Sequence, residues 1–460
     1  MNDMKNKFVE LFLAVLILST SISSAQQQTV KILNLQDCIN IALDRSTAVL
    51  KGNNAVQFAG AQVLAAYGQY LPNLVAGGGL NYGAGNTFSA SAGPELVNSS
   101  RSMYNYQLTS SLNLFTGYYN YSTWKSAKLN QQISTLTLDR AKQQIELDVT
   151  QSYLQVILDK KIVDLDSANL STSLKREDQL VALTDVGRRA KTDLYQQQAQ
   201  TSSDKLLLIN AQSKLQNDKI LLFQKLRIDT TENYTIADIT IEDNANAAQY
   251  GNKESLVNEA LQDRVDFRSA MLNTQYADWI IKKYRSGYLP SVSLNLGLYN
   301  NGAYFNTLAI NGNNDYPNIS QEAIPTQLYK YTNGILGLNA TWNIFDRYYT
   351  KSNVAIAKIS ADNAKIDLED TKIGIVADVK QAYNDYVNAV QQMETVDKGL
   401  FAAQKAYEAV NGLYKEGATD FITESNAQLV LLQASENKIQ ASVNMMLQKK
   451  IIDFYVGTIK

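Results

Sequence analysis

Between Gly117 and Gly187 the chain runs 69 residues, Tyr118 to Val186, without a glycine or a proline. Proline breaks a helix interior, and glycine weakens it by roughly 0.5–1 kcal/mol. A stretch free of both can continue as one helix far beyond the ~12 residues usual in globular proteins. The five prolines of the 460-residue chain, Pro72, Pro94, Pro290, Pro317 and Pro325, fall in two short zones. The chain is thus laid out for very long helices interrupted at two places.

Those two zones are matching points of an internal repeat, the first thing to seek in a long chain. Ala42-Leu43 recurs as Ala260-Leu261, Tyr70-Leu71-Pro72 as Tyr288-Leu289-Pro290 and Gly79 as Gly297, all at an offset of 218. Further on, Asn113-Leu114-Phe115 returns as Asn343-Ile344-Phe345, Tyr118-Tyr119 as Tyr348-Tyr349 and Gly187 as Gly417, at an offset of 230. The second copy therefore holds 12 extra residues, around Asn311-Gly312-Asn313-Asn314-Asp315.

Each copy reads helix, strand, loop, strand, long helix, helix. The proline of each Tyr-Leu-Pro step stops the first helix and forces its predecessor extended. Beyond it Val292, Leu294, Leu296 and Leu298 alternate with Ser291, Ser293, Asn295 and Gly297. Leu336, Leu338, Ala340, Trp342 and Ile344 alternate with Gly337, Asn339, Thr341 and Asn343, and the first copy repeats the pattern more weakly. Alternation alone also fits a soluble sandwich hairpin. Length, polarity and aromatics near the strand ends (Tyr104, Tyr118, Tyr119, Trp342, Tyr348 and Tyr349) suit a transmembrane β-barrel with interfacial aromatics. Four strands cannot close a barrel, and open edges are not tolerated in hydrocarbon. Closure requires other copies in a symmetric ring. Three copies give twelve strands and four give sixteen, and counting does not choose between them.

The expected layout is a signal peptide at 1–25, a first repeat at 26–226, a connector at 227–254 and a second repeat at 255–457. Strands are expected at about 73–88 and 104–115, then at about 291–305 and 331–345. Long helices are expected at about 119–183 and 349–413, each roughly 100 Å at 1.5 Å per residue. Gly187 and Gly417 are read as C-caps that turn the chain back.

Composition limits the chemistry. The chain has no histidine and one cysteine, Cys38, so histidine-dependent triads, histidine metal ligands and internal disulfides are excluded. With 42 Lys+Arg against 44 Asp+Glu there is no basic surplus for nucleic acid. The glycines from Gly77 to Gly85 do not open a helix, so no phosphate cradle is expected, and Asn313-Asn314-Asp315 reads as loop polarity rather than a calcium site. No catalytic residue, cofactor or metal is expected. Lys5 and Lys7, the apolar run Phe8 to Ile22 and Ser23-Ser24-Ala25 read as a cleaved export signal with a mature start at Gln26. Beyond it no run of 18 apolar residues suggests a transmembrane helix.

Several motifs occur in a telling order. Leu33-Asn34-Leu35-Gln36-Asp37-Cys38-Ile39 opens the first helix, and Tyr-Leu-Pro precedes each first strand. Asn113-Leu114-Phe115-Thr116-Gly117 and Asn343-Ile344-Phe345-Asp346 join strand to long helix, and Arg264-Val265-Asp266 opens another helix. Tyr414-Lys415-Glu416-Gly417-Ala418-Thr419-Asp420 and the ending Ile452-Asp453-Phe454-Tyr455-Val456-Gly457 complete the series. From residue 33 to 457 the chain resembles the TolC-like outer-membrane efflux proteins. The resemblance implies a mainly α fold with a transmembrane β-barrel. It implies a homotrimer with a twelve-stranded barrel in outer-membrane lipid and an α-barrel tunnel in the periplasm. It also implies a passive exit duct for a tripartite efflux pump or type I secretion system. Its partners would be a periplasmic adaptor and an inner-membrane transporter. The alternative class is an exported coiled-coil structural protein or adhesin without a transport role.

The resemblance further places a periplasmic gate at the two helical tips. Tyr414, three residues before Gly417, and Asp193, six after Gly187, are expected to hydrogen-bond across them. Thr419 stands where some members carry arginine, and Thr423 and Asn426 stand where some carry aspartates. Asp420 and Glu424 are the nearby candidates for supplying charge.

Overall fold

The computed structural model describes residues 31–89, 95–229, 234–239, 250–310, 312–314 and 320–457. The expected signal peptide, much of the connector and most of the long second loop lie outside the described residues. The elements run β1 (Lys31–Leu33), α1 (Leu35–Arg45), α2 (Thr47–Gly68), β2 (Val75–Ser89), β3 (Glu95–Phe115), α3 (Tyr119–Asp185), α4 (Lys191–Leu226) and β4 (Tyr234–Ile236). They continue with α5 (Lys253–Asp263), α6 (Val265–Arg285), β5 (Ser291–Ile310), β6 (Asn313–Asn314), α7 (Ile324–Lys330), β7 (Asn333–Thr341), α8 (Tyr349–Lys415) and α9 (Phe421–Val456). The long helices α3 and α8 have 67 residues each, and the returning helices α4 and α9 have 36 each. None of the described helices is long and apolar enough to cross a membrane.

Contacts divide the chain into two compact units. One gathers the segment before Ala48 with 144–250 and 382–454, and the other gathers 48–143 with 251–381 and the residues after Phe454.

The second unit holds an antiparallel sheet in the order β2-β3-β5-β7. Its register sets Val75 against Thr109, Thr109 against Gly297 and Gly297 against Ile335. Strand alternation then puts Leu80, Leu108, Leu112, Leu294, Leu296, Leu298, Leu336 and Leu338 on one face. Asn105, Gln107, Ser293, Asn295 and Asn339 take the other. The apolar face is bare: Leu80 is 86% exposed and Leu336 71%. Among the described residues no strand covers the outer edge of β2 or of β7.

The sheet departs from the expected strand limits at three places. β5 runs on to Ile310, past the expected 305. β3 begins at Glu95, well before the expected 104. β7 ends at Thr341, because the Trp342 indole donates to the Tyr288 carbonyl at 3.1 Å and Asp346 caps α8 at the Thr350 amide, 2.7 Å. Above β7, the free edge of β5 is met by two side-chain amides. Gln327 donates to the Ala303 carbonyl at 3.1 Å and accepts from its N–H at 3.2 Å, and Gln321 does the same at Phe305. They stand in for a strand at Ala303 and Phe305, giving the N–H and C=O of each a partner. Tyr104, expected at the membrane interface, is instead buried. Its hydroxyl donates to Gln327 Oε1 at 2.9 Å, and its ring crosses Gly302, where a side chain has no room.

The first unit packs around Leu33, Cys38, Ile39, Val149, Tyr153, Val156, Leu222 and Leu226. Asn34 caps α1 with a reciprocal bond to Asp37, at 2.9 and 3.2 Å. Cys38 is free and buried, and burial pushes its thiol up to about 12, so it behaves as the small apolar residue expected. Deeper along α3, Asp166 is buried with one carboxylate oxygen unpartnered. Burial and then Asp204 hold its carboxyl above the ordinary range. A raised folded pKa favours the folded state below the unfolded value, and this contribution disappears as pH rises through the folded one. Asp166→Asn should therefore raise the denaturation midpoint at pH 7 and leave it nearly unchanged at pH 4. A lower midpoint at pH 7 would contradict this reading.

Candidate functional site

The two helical tips are built by one local device. Gly187 and Gly417 sit at φ of 72° and 74°, a left-handed conformation that a β-carbon disfavours. At the first tip the Gly187 amide donates to Thr184 at 3.0 Å and the Arg188 amide to Leu183 at 2.8 Å. At the second the Gly417 amide donates to Tyr414 at 3.1 Å and the Ala418 amide to Leu413 at 2.8 Å. Both are Schellman closures, which satisfy the last carbonyls of a helix and turn the chain sharply. Asp420 then accepts from the Thr423 amide at 2.7 Å and caps α9; those bonds hold its carboxyl below the usual range.

Arg189 joins the two tips. Its guanidinium lies 4.7 Å from the centroid of the Tyr414 ring and donates to the Tyr414 carbonyl at 3.5 Å. Its other nitrogen is 4.0 Å from the Asp193 carboxylate. Among the described residues the link between Tyr414 and Asp193 thus runs through Arg189, rather than through the expected direct hydrogen bond. Burial pushes the Tyr414 phenol up, so it stays protonated at neutral pH. Its ring also meets Phe421 edge-on at 6.3 Å.

A second tie lies inside the unit. Arg176 of α3 grips both oxygens of Glu424 on α9 at 2.7 Å each. It also donates to Gln428 at 2.6 Å and to the Tyr407 hydroxyl of α8 at 3.3 Å. Gln428 continues to Asn169 at 3.0 Å, so the network fastens α3 to both α8 and α9. The Glu424 side chain is 0% exposed. Burial pushes its carboxyl up and Arg176 pulls against that rise. Glu424 is therefore a neutralised structural partner and adds no open charge at the tip, which corrects its candidate role. Asp420 keeps an exposed carboxylate, while Thr423 and Asn426 are exposed and uncharged. Thr419 is half-buried in the turn.

Sequence reasoning missed Arg176, Arg189, Tyr407 and Gln428. The repeat could not flag the ion pair, because 230 residues away stand Ala406 and Leu194. At the other end of the long helices, Tyr118, Tyr119, Trp342, Tyr348 and Tyr349 are exposed near the strand ends. No group of three or more candidate metal ligands occurs among the described residues.

Residues 256–457 match the family model described as outer membrane efflux protein. The outer membrane protein TolC of Vibrio cholerae serotype O1 is 24% identical over 357 residues, covering 76% of this chain and 77% of that protein. The protein of the same name from Escherichia coli K12 is 21% identical over 397 residues, covering 85% and 75%. In fold, the solved structure of CusC, described in terms of transmembrane channel formation, matches with a TM-score of 0.76 at 15% identity over 92% of both chains. The outer membrane protein VceC of Vibrio cholerae matches with 0.76 at 13% identity, over 92% and 96%. Motif order, the family match over residues 256–457 and the fold agree in making the chain similar to the TolC-like outer-membrane efflux proteins.

Proposed function

We propose that the chain is the passive exit duct of a tripartite efflux pump or type I secretion system. Three copies would close a twelve-stranded barrel in the outer membrane and continue as a helical tunnel in the periplasm. There they would meet a periplasmic adaptor and an inner-membrane transporter. The single observation that carries this reading is the four-stranded sheet with one bare apolar face and two uncovered edges, each copy of its hairpin running into a 67-residue helix. The bare face does not suit water and the open edges do not suit hydrocarbon, and a barrel closed in lipid resolves both. The duplicated layout, 26–226 and 255–457 after a cleaved 1–25, supplies two hairpins per copy on this reading.

The tips are the gate. The Arg176–Glu424 network and the Arg189 bridge hold the α8–α9 tip against the α3–α4 tip within a copy. The duct itself carries out no chemical step. Of the candidate gate positions on the second tip, Asp420 alone offers open charge, since Thr419, Thr423 and Asn426 are neutral and Glu424 is paired.

Two tests follow. Arg176→Met leaves a buried carboxylate without its partner, so it should lower stability by about 3–5 kcal/mol. Adding Glu424→Met should recover most of that loss in chemical denaturation, and a double variant as unstable as the single one would contradict the pairing. In planar bilayers, Arg189→Gln should raise the closed-state conductance more than Tyr414→Phe, because the ring and carbonyl of residue 414 carry the contact. The reverse order would restore the direct Tyr414–Asp193 bond. An absence of channels, with the protein recovered as a soluble monomer, would reject the duct.

A further inference from the structure

Just beyond the strand ends, α3 and α6 enclose a cleft of about 300 Å³. Tyr118, Tyr121, Trp279, Lys282, Arg285 and Leu289 line it. Tyr121 and Trp279 meet edge-on at 5.5 Å. Four lysines stand over this aromatic group. Lys282 lies 3.9 Å from the Trp279 centroid, Lys125 and Lys128 each 5.3 Å from that of Trp124, and Lys283 5.2 Å from that of Tyr119. Among the described residues, none of these lysines nor Arg285 forms an ion pair. Acids are scarce nearby: α3 has none before Asp139, and residues 267–290 hold Asp278 alone.

The scaffold does not require this charge. At the offset of 218, before the same Tyr-Leu-Pro step, Trp279, Lys282, Lys283 and Arg285 correspond to Ala61, Leu64, Ala65 and Tyr67. At the offset of 230, Lys125 corresponds to Ala355. Lys128 recurs as Lys358, so the charge that the other copy lacks lies on α6, at Lys282, Lys283 and Arg285, and at Lys125 of α3.

We propose that this cleft binds the headgroup of an anionic glycerophospholipid. This rests on the outer-membrane reading above, which sets the strand ends at the lipid boundary. The cleft starts where the hairpins end, at Gly117 after β3 and Leu289 before β5, so it lies at headgroup depth. Arg285 and Lys282 supply the donors a phosphate oxygen accepts, Arg as a planar fork and Lys as a point charge. Trp279, Tyr118 and Leu289 offer apolar surface to the glycerol and upper acyl carbons, as amphipathic rings do at a membrane boundary. The neighbouring lysines add attraction for a net negative headgroup over a zwitterionic one.

The test uses the full mature protein, purified in detergent, stripped of lipid and titrated in native mass spectrometry. The two probes are phosphatidylglycerol and phosphatidylethanolamine with identical acyl chains. Phosphatidylglycerol should be retained preferentially, and Lys282→Gln/Arg285→Gln should weaken it by roughly fivefold for each charge removed. Lys365→Gln, on an exposed part of α8, should change nothing. Equal retention of the two lipids, or undiminished phosphatidylglycerol binding in the double variant, would overturn the site; the latter leaves the cleft to a partner such as an acidic protein segment. If the double variant does not assemble, Lys282→Gln alone decides by the same criterion. Wild-type conductance in pure phosphatidylethanolamine bilayers separates the two readings: channels without lipid selectivity sink the lipid site and leave the duct standing.

Discussion

Backbone groups at the edges of a strand must find partners, and this requirement governs the molecule. In water, an edge is satisfied by solvent, and a bare leucine face costs roughly 25 cal/mol per Å² of apolar surface left wet. In hydrocarbon the leucines are at home, but an open edge is not tolerated. Among the described residues the β2-β3-β5-β7 sheet combines a leucine face with two uncovered outer edges, so neither medium suits that sheet alone. Where β7 stops short, the chain solves the same problem internally, with the Gln321 and Gln327 amides occupying the β5 edge. On the proposed reading, pairing between copies satisfies the outer edges of β2 and β7.

The helices follow a different logic. Both tips use the same glycine closure, so turning the chain back takes the same local chemistry twice. What distinguishes the tips is side-chain chemistry laid over that shared frame. Arg176 and Glu424 form a buried charge pair whose removal from one side leaves an uncompensated charge, while the matching Ala406 and Leu194 carry none. The same contrast recurs at the strand ends, where α6 carries lysines and an arginine and α2 carries alanine, leucine and tyrosine. Duplication supplies the architecture, and divergence between the copies marks where the two halves act differently.

Most of the architecture was legible from simple patterns. The long helices follow from missing proline, and in α3 from missing glycine as well, and the strands from period-two alternation. The tip glycines announced left-handed caps, and both have positive φ. Pattern failed where a contact joins residues far apart in the chain. Arg176 reaches Glu424 across 248 positions, and no local spacing announces it. Tyr104 looked like an interfacial aromatic because it lies near a strand, but Gln327 and Gly302 make it a buried clasp. The short α7 was hidden in a stretch read as loop, although Pro325 in its first turn is a helix-start signal. Glu424 looked like open charge because sequence shows residue type and not its partner.

The central claim is that one copy supplies a third of a closed barrel. Disulfide cross-linking tests it most directly, because the single native cysteine, Cys38, is buried and gives a quiet background. Cysteine pairs would be scanned along the outer edges of β2 and β7, one on each strand, in protein kept in native membranes. The account predicts an oxidant-dependent ladder of monomer, dimer and trimer that ends at three and collapses on reduction. A ladder that ends at four, one that runs on without limit, or cross-links confined to single chains would contradict it.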